Sequence, residues 1–394
     1  RLSGRPLRCT PMSDFFLGAS NFLQSVREHP NAPRFNFNSS DLLNRDTLCE
    51  VKAFAQRGSR QPFWSPGNLP GWMQGFVDRV YREVPYYRAL GGVPSEFGAI
   101  PTIDRGVLKE QMPRLVPDSA ELSALTVYTT SGTTGSPLAI PTDAPVTTKV
   151  LVLIEQLLHR VGAGDLPRGS GEIALAAVFC QEQTLTYPSL SQYLEGALTL
   201  KVNLHPSQWR QGADARRFLL DLKPAVITGS PFSLQKLATD CSELRPRAVL
   251  SSAEKLLDGF RTRLEEVFQC PVIDVYGLTE AKFIAARTVG EGHDLLCGDL
   301  FVEILDQKGR GMGPGEKGEI TLTGGRNRFL PLLRYRTGDF AALEYRGGQP
   351  YLTGLEGREC AFLVNGDGGS ICGLDIVNCF QQLPLVGFSF QQKP

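Results

Sequence analysis

The sequence carries no net charge. Its 41 basic and 41 acidic residues cancel over 394 positions. A protein that neutralises nucleic-acid phosphates needs a basic stripe or patch, so this balance speaks against nucleic acid as a partner. Long apolar runs are also missing. Stretches such as "VLVLI" (Val150–Ile154) fall far short of the roughly 20 residues that span a bilayer, and no membrane partner is expected. Nine cysteines are present, but none forms a CxxC pair. With no recognisable secretory signal, this points to a reduced, cytoplasmic protein. Repeats and low-complexity tracts are lacking too. Residues 1–11, "RLSGRPLRCTP", read poorly as structure, and Met12 is a plausible natural start, so that segment is set aside from fold reasoning.

What is present is an ordinary globular composition, 42% hydrophobic and 21% charged. The chain is too long for one simple core, which suggests two or three subdomains. "LPGWMQGFVDRVYREVPYYRAL" has helical apolar spacing, and "VTTKVLVLIEQLLHRVG" reads as a buried helix. "IALAAVFC", "AVITGS", "RAVLSSAE" and "PVIDVYGLTE" read as buried strands that run into polar loops, with a helix over "KLLDGFRTRLEEVFQ". This alternation predicts an α/β sheet that is at least partly parallel, with ligand-binding loops at the carboxyl ends of its strands. Near residue 295 the strands become short, alternating and glycine-punctuated ("DLFVEILD", "GEITLTG", "FAALEYRGG", "PYLTGLEG"). That pattern predicts a small antiparallel, barrel-like subdomain, which also offers a surface for a homodimer. The expected division is an α/β nucleotide- and acid-binding core over 12–290, a β-rich subdomain over 291–357, and a hinge with a remnant domain over 358–394, where "LDIVNCFQQL" suggests a helix and "VGFSF" a strand.

Three loops carry the chemistry. "YTTSGTTGSPLAIPTD" (Tyr128–Asp143) is rich in hydroxyls, and Gly132 and Gly135 let its backbone N–H groups approach an anion. It lacks the spacing and the lysine of a Walker A loop, so taken alone it is either a phosphate cradle or a solvated turn. "YGLTE" (Tyr276–Glu280) ends a strand with a stacking aromatic, a hydroxyl and a carboxylate able to ligate Mg²⁺. The alternative is a strand tyrosine beside a surface glutamate. "RYRTGD" (Arg334–Asp339) puts a carboxylate just after a tight turn, suited to a ribose diol or else to an ordinary hairpin salt bridge.

In this order and spacing, the three loops resemble the adenylate-forming superfamily of acyl-CoA synthetases, adenylation domains and luciferases. "SSAEKLLDGFRTRLEEVF", "PLLRYRTGD" and "REVPYYRAL" are most similar to the phenylacetate–coenzyme A ligase-like branch, over roughly residues 70–365. The resemblance implies that Thr130, Ser131, Gly132, Thr133, Thr134 and Gly135 hold the β,γ-phosphates of ATP. It implies that Ser252, Ala253, Glu254, Tyr276 and Gly277 line the adenine pocket and that Thr279 touches the α-phosphate. Glu280 would hold Mg²⁺, and Asp339, supported by Arg358, would bind the ribose hydroxyls. Glu280, Thr279 and Thr130 are then the catalytic set. Tyr128, Phe179, His205, Phe232 and Phe283 are candidates for the wall of an acid pocket, each with a plain packing role as its alternative. His293 and Cys297 lie where some relatives carry zinc, but no third and fourth ligand is evident, and an incidental role is expected.

The activity implied is ATP- and Mg²⁺-dependent activation of a carboxylic acid, aromatic by the branch, to an acyl-adenylate. The sequence departs from the family after Arg358, where "GRECAFLVNGDGGS" puts Cys360 and Ala361 at the hinge positions. Only 36 residues follow Arg358, and Lys393 is the sole lysine after Lys317. The expectation is therefore a short member in which most of the mobile C-terminal domain, with its lysine and its CoA wall, is missing. CoA becomes a doubtful acceptor. The acyl group is expected to pass to a partner enzyme or carrier, as in antibiotic or other secondary-metabolite assembly. One alternative is a complete aryl-CoA ligase seen as a truncated chain. Another is an inactive nucleotide-binding scaffold.

Overall fold

The computed structural model describes residues 12–58, 63–129, 138–296, 298–357, 362–364 and 370–372. In chain order the helices are α1 (Met12–Arg27), α2 (Arg45–Gly58), α3 (Met73–Glu83), α4 (Pro85–Arg88), α5 (Arg105–Leu115), α6 (Ala144–Arg160), α7 (Asp214–Leu222), α8 (Pro231–Asp240) and α9 (Asp258–Phe268). The strands are β1 (Ser39–Ser40), β2 (Thr126–Thr129), β3 (Ala139–Thr142), β4 (Ile173–Phe179), β5 (Tyr187–Leu190), β6 (Leu198–Asn203), β7 (Val226–Gly229), β8 (Ala248–Ser251), β9 (Val272–Leu278), β10 (Lys282–Arg287), β11 (His293–Leu295), β12 (Leu300–Leu305), β13 (Lys317–Gly324), β14 (Leu332–Arg346), β15 (Gln349–Glu356), β16 (Phe362–Val364) and β17 (Ser370–Cys372).

Thirteen strands form one mixed sheet in the order β1-β5-β6-β4-β7-β8-β9-β10-β11-β15-β14-β13-β12. β6, β4, β7, β8 and β9 pair in parallel. From β9 onward every pairing is antiparallel. The antiparallel strands expected after residue 295 therefore continue the ladder of the parallel half. The parallel strands are apolar on both faces because both faces are covered. Ile227, Val249 and Val272 pack against α1, α7, α8 and α9. Val226, Ala248, Leu250 and Ile273 pack against α2 and α6. Burial of each such side chain contributes about 1.5–3 kcal/mol. A third core joins α3 to β10, β12, β13 and β14.

Local chemistry sets the helix starts. Asp143 accepts from the Val146 N–H at 3.0 Å and caps α6, and Asp104 accepts from the Val107 N–H at 2.9 Å and caps α5. The single helix expected over Leu69–Leu90 is broken in two. Val84 precedes Pro85 and is extended (φ −100°, ψ 114°), because the proline ring disfavours helical backbone in the residue before it. Among the described residues no helix is long and apolar enough to cross a membrane. The helix and strand expected in Leu374–Leu383 and Val386–Phe390 lie outside the described residues.

Candidate active site

The carboxyl ends of the parallel strands form one edge of the sheet, and among the described candidates Phe179, His205, Ser252, Ala253, Glu254, Gly277, Thr279 and Glu280 sit at or just past strand ends there. β9 and β10 make a hairpin in which Leu278 faces Lys282 and Gly277 faces Phe283, with Thr279, Glu280 and Ala281 as the turn. This explains the glycine of "YGLTE". A Cβ at Gly277 would lie 2.8 Å from the Lys282 carbonyl oxygen and 3.2 Å from the Phe283 Cα. Lys282 itself has φ +60°, in the left-handed region that side chains avoid.

Glu280 is 2% exposed, although it is charged and lies in a turn. A buried carboxylate needs partners. Tyr335, fully buried in β14, donates its hydroxyl to Glu280 Oε1 at 3.2 Å. Arg105 Nη1, from the first residue of α5, lies 3.7 Å from the same oxygen. Both contacts fall on Oε1. A Mg²⁺ ion takes one or two carboxylates and fills its shell with phosphate oxygens and water, so a single preplaced glutamate fits such an ion.

Asp339 is 6% exposed, and its Oδ2 accepts from the Tyr276 hydroxyl at 2.8 Å. Its own N–H donates to Thr337 Oγ1 at 3.0 Å, and the Thr337 hydroxyl donates to the Ile320 carbonyl at 2.9 Å. Glu319 braces the same turn. It accepts from the Gly338 N–H at 2.9 Å and from Arg336 Nε at 2.7 Å. Of the two readings of "RYRTGD", the ordinary hairpin turn does not form. β14 runs straight through it, and the motif is an irregularity in its pairing with β13 where Gly338 takes φ +80°.

At the end of β8, Ser252 donates its N–H to the Gly229 carbonyl at 3.0 Å. Ala253 follows with φ +75°, another left-handed residue without the freedom of glycine. Ala253 and Glu254 are exposed, while Ser251 Oγ is buried without a hydrogen-bond partner among the described residues. A buried hydroxyl left unpaired costs about 1–3 kcal/mol.

The pocket candidates separate. Tyr128, 38% exposed on β2, carries Lys282 Nζ at 5.3 Å from its ring centroid. Phe179, at the end of β4, carries Lys201 Nζ at 4.6 Å. Lys201 pairs across the sheet with Tyr187, whose hydroxyl is pushed up to about 12 by burial and then by the nearby Tyr128. Burial pushes the Lys201 ammonium down, and that of Lys282 down to about 8 against the pull of Glu280. His205 is engaged locally, with Nδ1 at 2.7 Å from Ser207 Oγ. Phe232 is 56% exposed on α8, and Phe283 packs toward the α2–α6 core. Thr279 is partly buried in the β9–β10 turn. Thr130, Ser131, Gly132, Thr133, Thr134, Gly135 and Arg358 lie outside the described residues. The strands that flank the phosphate-loop segment pair with each other, Thr129 opposite Ala139.

His293 Nε2 lies 3.2 Å from Asp274 Oδ2, and Cys297 is outside the described residues. Among the described residues no group of three or more His, Cys, Asp or Glu side chains is placed to hold a metal. Sequence reasoning missed Arg105, Tyr335, Lys282 and Arg326. Arg326 forms a two-pronged pair with Asp299, Nε–Oδ2 3.0 Å and Nη2–Oδ1 2.6 Å. It also donates from Nη1 to the carbonyls of Ala281 and Phe283, on either side of Lys282. "TGGRNRF" held no signal for this, because the partners lie 27, 43 and 45 positions upstream.

Residues 173–327 match the AMP-binding enzyme family. The phenylacetate–coenzyme A ligase of Aromatoleum evansii is 23% identical over 294 residues, covering 68% of this chain and 64% of its own length. That of Pseudomonas putida is 26% identical over 160 residues, covering 38% of this chain and 36% of its own. The chain thus spans less than two thirds of these curated relatives. Among solved structures, a 2-hydroxyisobutyryl-CoA ligase in complex with 2-HIB-AMP superposes with a TM-score of 0.60 at 19% identity, covering 79% of this chain and 71% of that one. Residues 173–327 thus resemble AMP-binding enzymes, the chain is similar in sequence to phenylacetate–coenzyme A ligases, and it shares the fold of a solved acyl-CoA ligase.

Proposed function

We propose that this chain activates a carboxylic acid, aromatic in kind, by adenylation. A carboxylate oxygen of the acid attacks the α-phosphorus of ATP. The bond from that phosphorus to the bridging oxygen breaks, and pyrophosphate leaves with the electron pair. The observation that carries this reading is a pair of buried, preplaced carboxylates where the end of β9 meets β14, Asp339 held by Tyr276 and Glu280 held by Tyr335 and Arg105. Asp339 would accept from the ribose hydroxyls. Glu280 would hold Mg²⁺, which supplies charge neutralisation on the phosphates. Catalysis is then positioning plus electrostatic stabilisation, with no covalent enzyme intermediate. Tyr128, Phe179 and Tyr187 supply flat apolar surface for an aromatic acid, and Lys201 a charge beside it.

The test is ATP–pyrophosphate exchange across a panel of aromatic and aliphatic acids. Exchange that depends on one group of aromatic acids supports the reading. ATP binding with no exchange on any acid favours a nucleotide-binding scaffold. The acyl acceptor is a separate question. The curated relatives are named as coenzyme A ligases, which favours CoA, and a partner enzyme or carrier is the alternative acceptor. Thioester formed from acid, ATP and CoA by this chain alone would decide for CoA.

A further inference from the structure

We propose that Lys282 is a binding residue for the polyphosphate of the nucleotide, placed by its hairpin to meet the charge of the departing pyrophosphate; this rests on the adenylation reading above. Lys282 opens β10, directly after the turn that carries Thr279 and Glu280. Its side chain is partly buried, and among the described residues no carboxylate lies within ion-pair distance of its Nζ. The carboxylate whose charge reaches it is Glu280 of the same turn, beyond ion-pair distance and already engaged by Tyr335 and Arg105, so the three ammonium donors remain open to an anionic ligand. The ammonium instead rests on the face of Tyr128, 5.3 Å from the ring centroid. Tyr128 stands two positions before Thr130 on the strand that leads into the Ser/Thr/Gly segment.

The backbone around Lys282 is built to hold it there. The residue keeps φ +60° without being glycine, a conformation that persists only where its surroundings fix it. Arg326 fixes it by bonding the carbonyls of Ala281 and Phe283 on either side, and is itself locked by Asp299. A register shift in the β9–β10 pairing follows between Phe283 and Ala285, a common device for re-aiming a side chain beside a site. Glu280 and Lys282 thus leave the same turn with opposite charges: the carboxylate suits a divalent cation, and the ammonium suits the anionic oxygens such a cation accompanies.

The experiment measures binding of Mg²⁺–pyrophosphate, Mg²⁺–ATP and adenosine to the full chain by calorimetry, for wild type, Lys282→Met and Lys282→Arg. Loss of one charge-assisted contact should weaken pyrophosphate and ATP about tenfold or more in Lys282→Met, with adenosine unchanged and most of the loss restored in Lys282→Arg. Equal affinity of wild type and Lys282→Met for pyrophosphate would overturn the proposal. Normal acid-dependent exchange by the wild type would meanwhile leave the adenylation reading standing. A wild type that binds neither ATP nor pyrophosphate defeats both. If Lys282→Met does not fold, pyridoxal phosphate labelling of wild-type Lys282, read by peptide mass, replaces it. Protection by pyrophosphate but not by adenosine supports the assignment, and no protection overturns it.

Discussion

The Tyr276 hydroxyl donates to Asp339 Oδ2 at 2.8 Å, joining the end of a parallel strand to the middle of an antiparallel one across 63 positions of sequence. One bond thus ties together the two halves of the sheet where the candidate nucleotide site lies. It also uses the tyrosine's polar end, so Tyr276 positions Asp339, the carboxylate proposed above for the ribose, as well as offering its ring. Tyr276→Phe keeps the ring and removes the bond. A hydrogen bond to a charged group is worth about 1.5–3 kcal/mol. The expected result is a KM for ATP raised about tenfold, with kcat for exchange changed less. Asp339→Asn should cost more. A Tyr276→Phe enzyme with an unchanged KM for ATP would show that the bond is structural only.

Glu280 offers a second separation. Glu280→Gln keeps the volume and still accepts from Tyr335, but it loses the charge that suits Mg²⁺ and pairs with Arg105. Exchange should fall by at least about a hundredfold, the scale of removing one electrostatic group from a preorganised site. Raising Mg²⁺ should recover part of the loss if the role is metal binding. Loss of exchange with no response to Mg²⁺, together with a lowered melting temperature, would assign Glu280 to folding.

Much of the parallel half was legible because its strands are apolar on both faces and end in hydroxyl- and glycine-rich turns. β4, β7, β8, β9, α6 and α9 all form where the pattern puts them. The three loops carried the family resemblance for the same reason, since each concentrates its chemistry in a few adjacent residues. What escaped depends on distant partners. Nothing in "RYRTGD" tells a hairpin from an irregularity inside a 15-residue strand, since the difference lies in Glu319 and Ile320 of the neighbouring strand. Tyr335 and Arg105 read as ordinary strand and helix residues until the fold brings them to Glu280, 55 and 175 positions away in sequence. α2 was unread because its apolar positions are few, and its helix is fixed by packing on α6.

Arg326 makes a strong prediction for stability. Its side chain is 2% exposed and bonds Asp299 together with two turn carbonyls. Arg326→Met leaves all of these acceptors without it. Breaking a buried pair from one side costs about 3–5 kcal/mol. Urea unfolding should show a loss of that order. The paired variant with Asp299→Asn should lose less than the sum of the two single changes, because the pair acts as a unit. Additive losses would mean that the two residues do not act together.

Cysteine chemistry gives a prediction away from the site. Burial pushes the thiols of Cys241 and Cys270 up to about 12, while Cys49 is exposed. Both raised groups stay protonated in the fold after they would ionise in the unfolded chain near pH 9.0. Their stabilising contribution is therefore whole below that pH and drains away as pH rises toward 12. At pH 8, iodoacetamide should modify exposed Cys49 and leave Cys241 and Cys270 untouched until unfolding, as read by peptide mass. Early labelling of Cys241 would contradict its placement in the core beside α8.

Gly277 tests whether the β9–β10 hairpin has to be rigid for activity. Its φ does not require glycine; the requirement is space, since a Cβ would stand 2.8 Å from the Lys282 carbonyl oxygen. That oxygen belongs to backbone whose flanks Arg326 holds, so it cannot yield as a side-chain tip would. Gly277→Ala must push the two strands apart and carry Glu280 and Lys282 with it. Strain of this kind costs about 1–3 kcal/mol of stability, which a domain of this size tolerates. Displacing positioned groups by a fraction of an ångström costs much more in rate. The expected outcome is a folded protein whose melting temperature falls by a few degrees while exchange falls by about a hundredfold. A variant with wild-type exchange would show that the turn adjusts on its own and that the placement of Glu280 and Lys282 does not depend on close contact between the two strands.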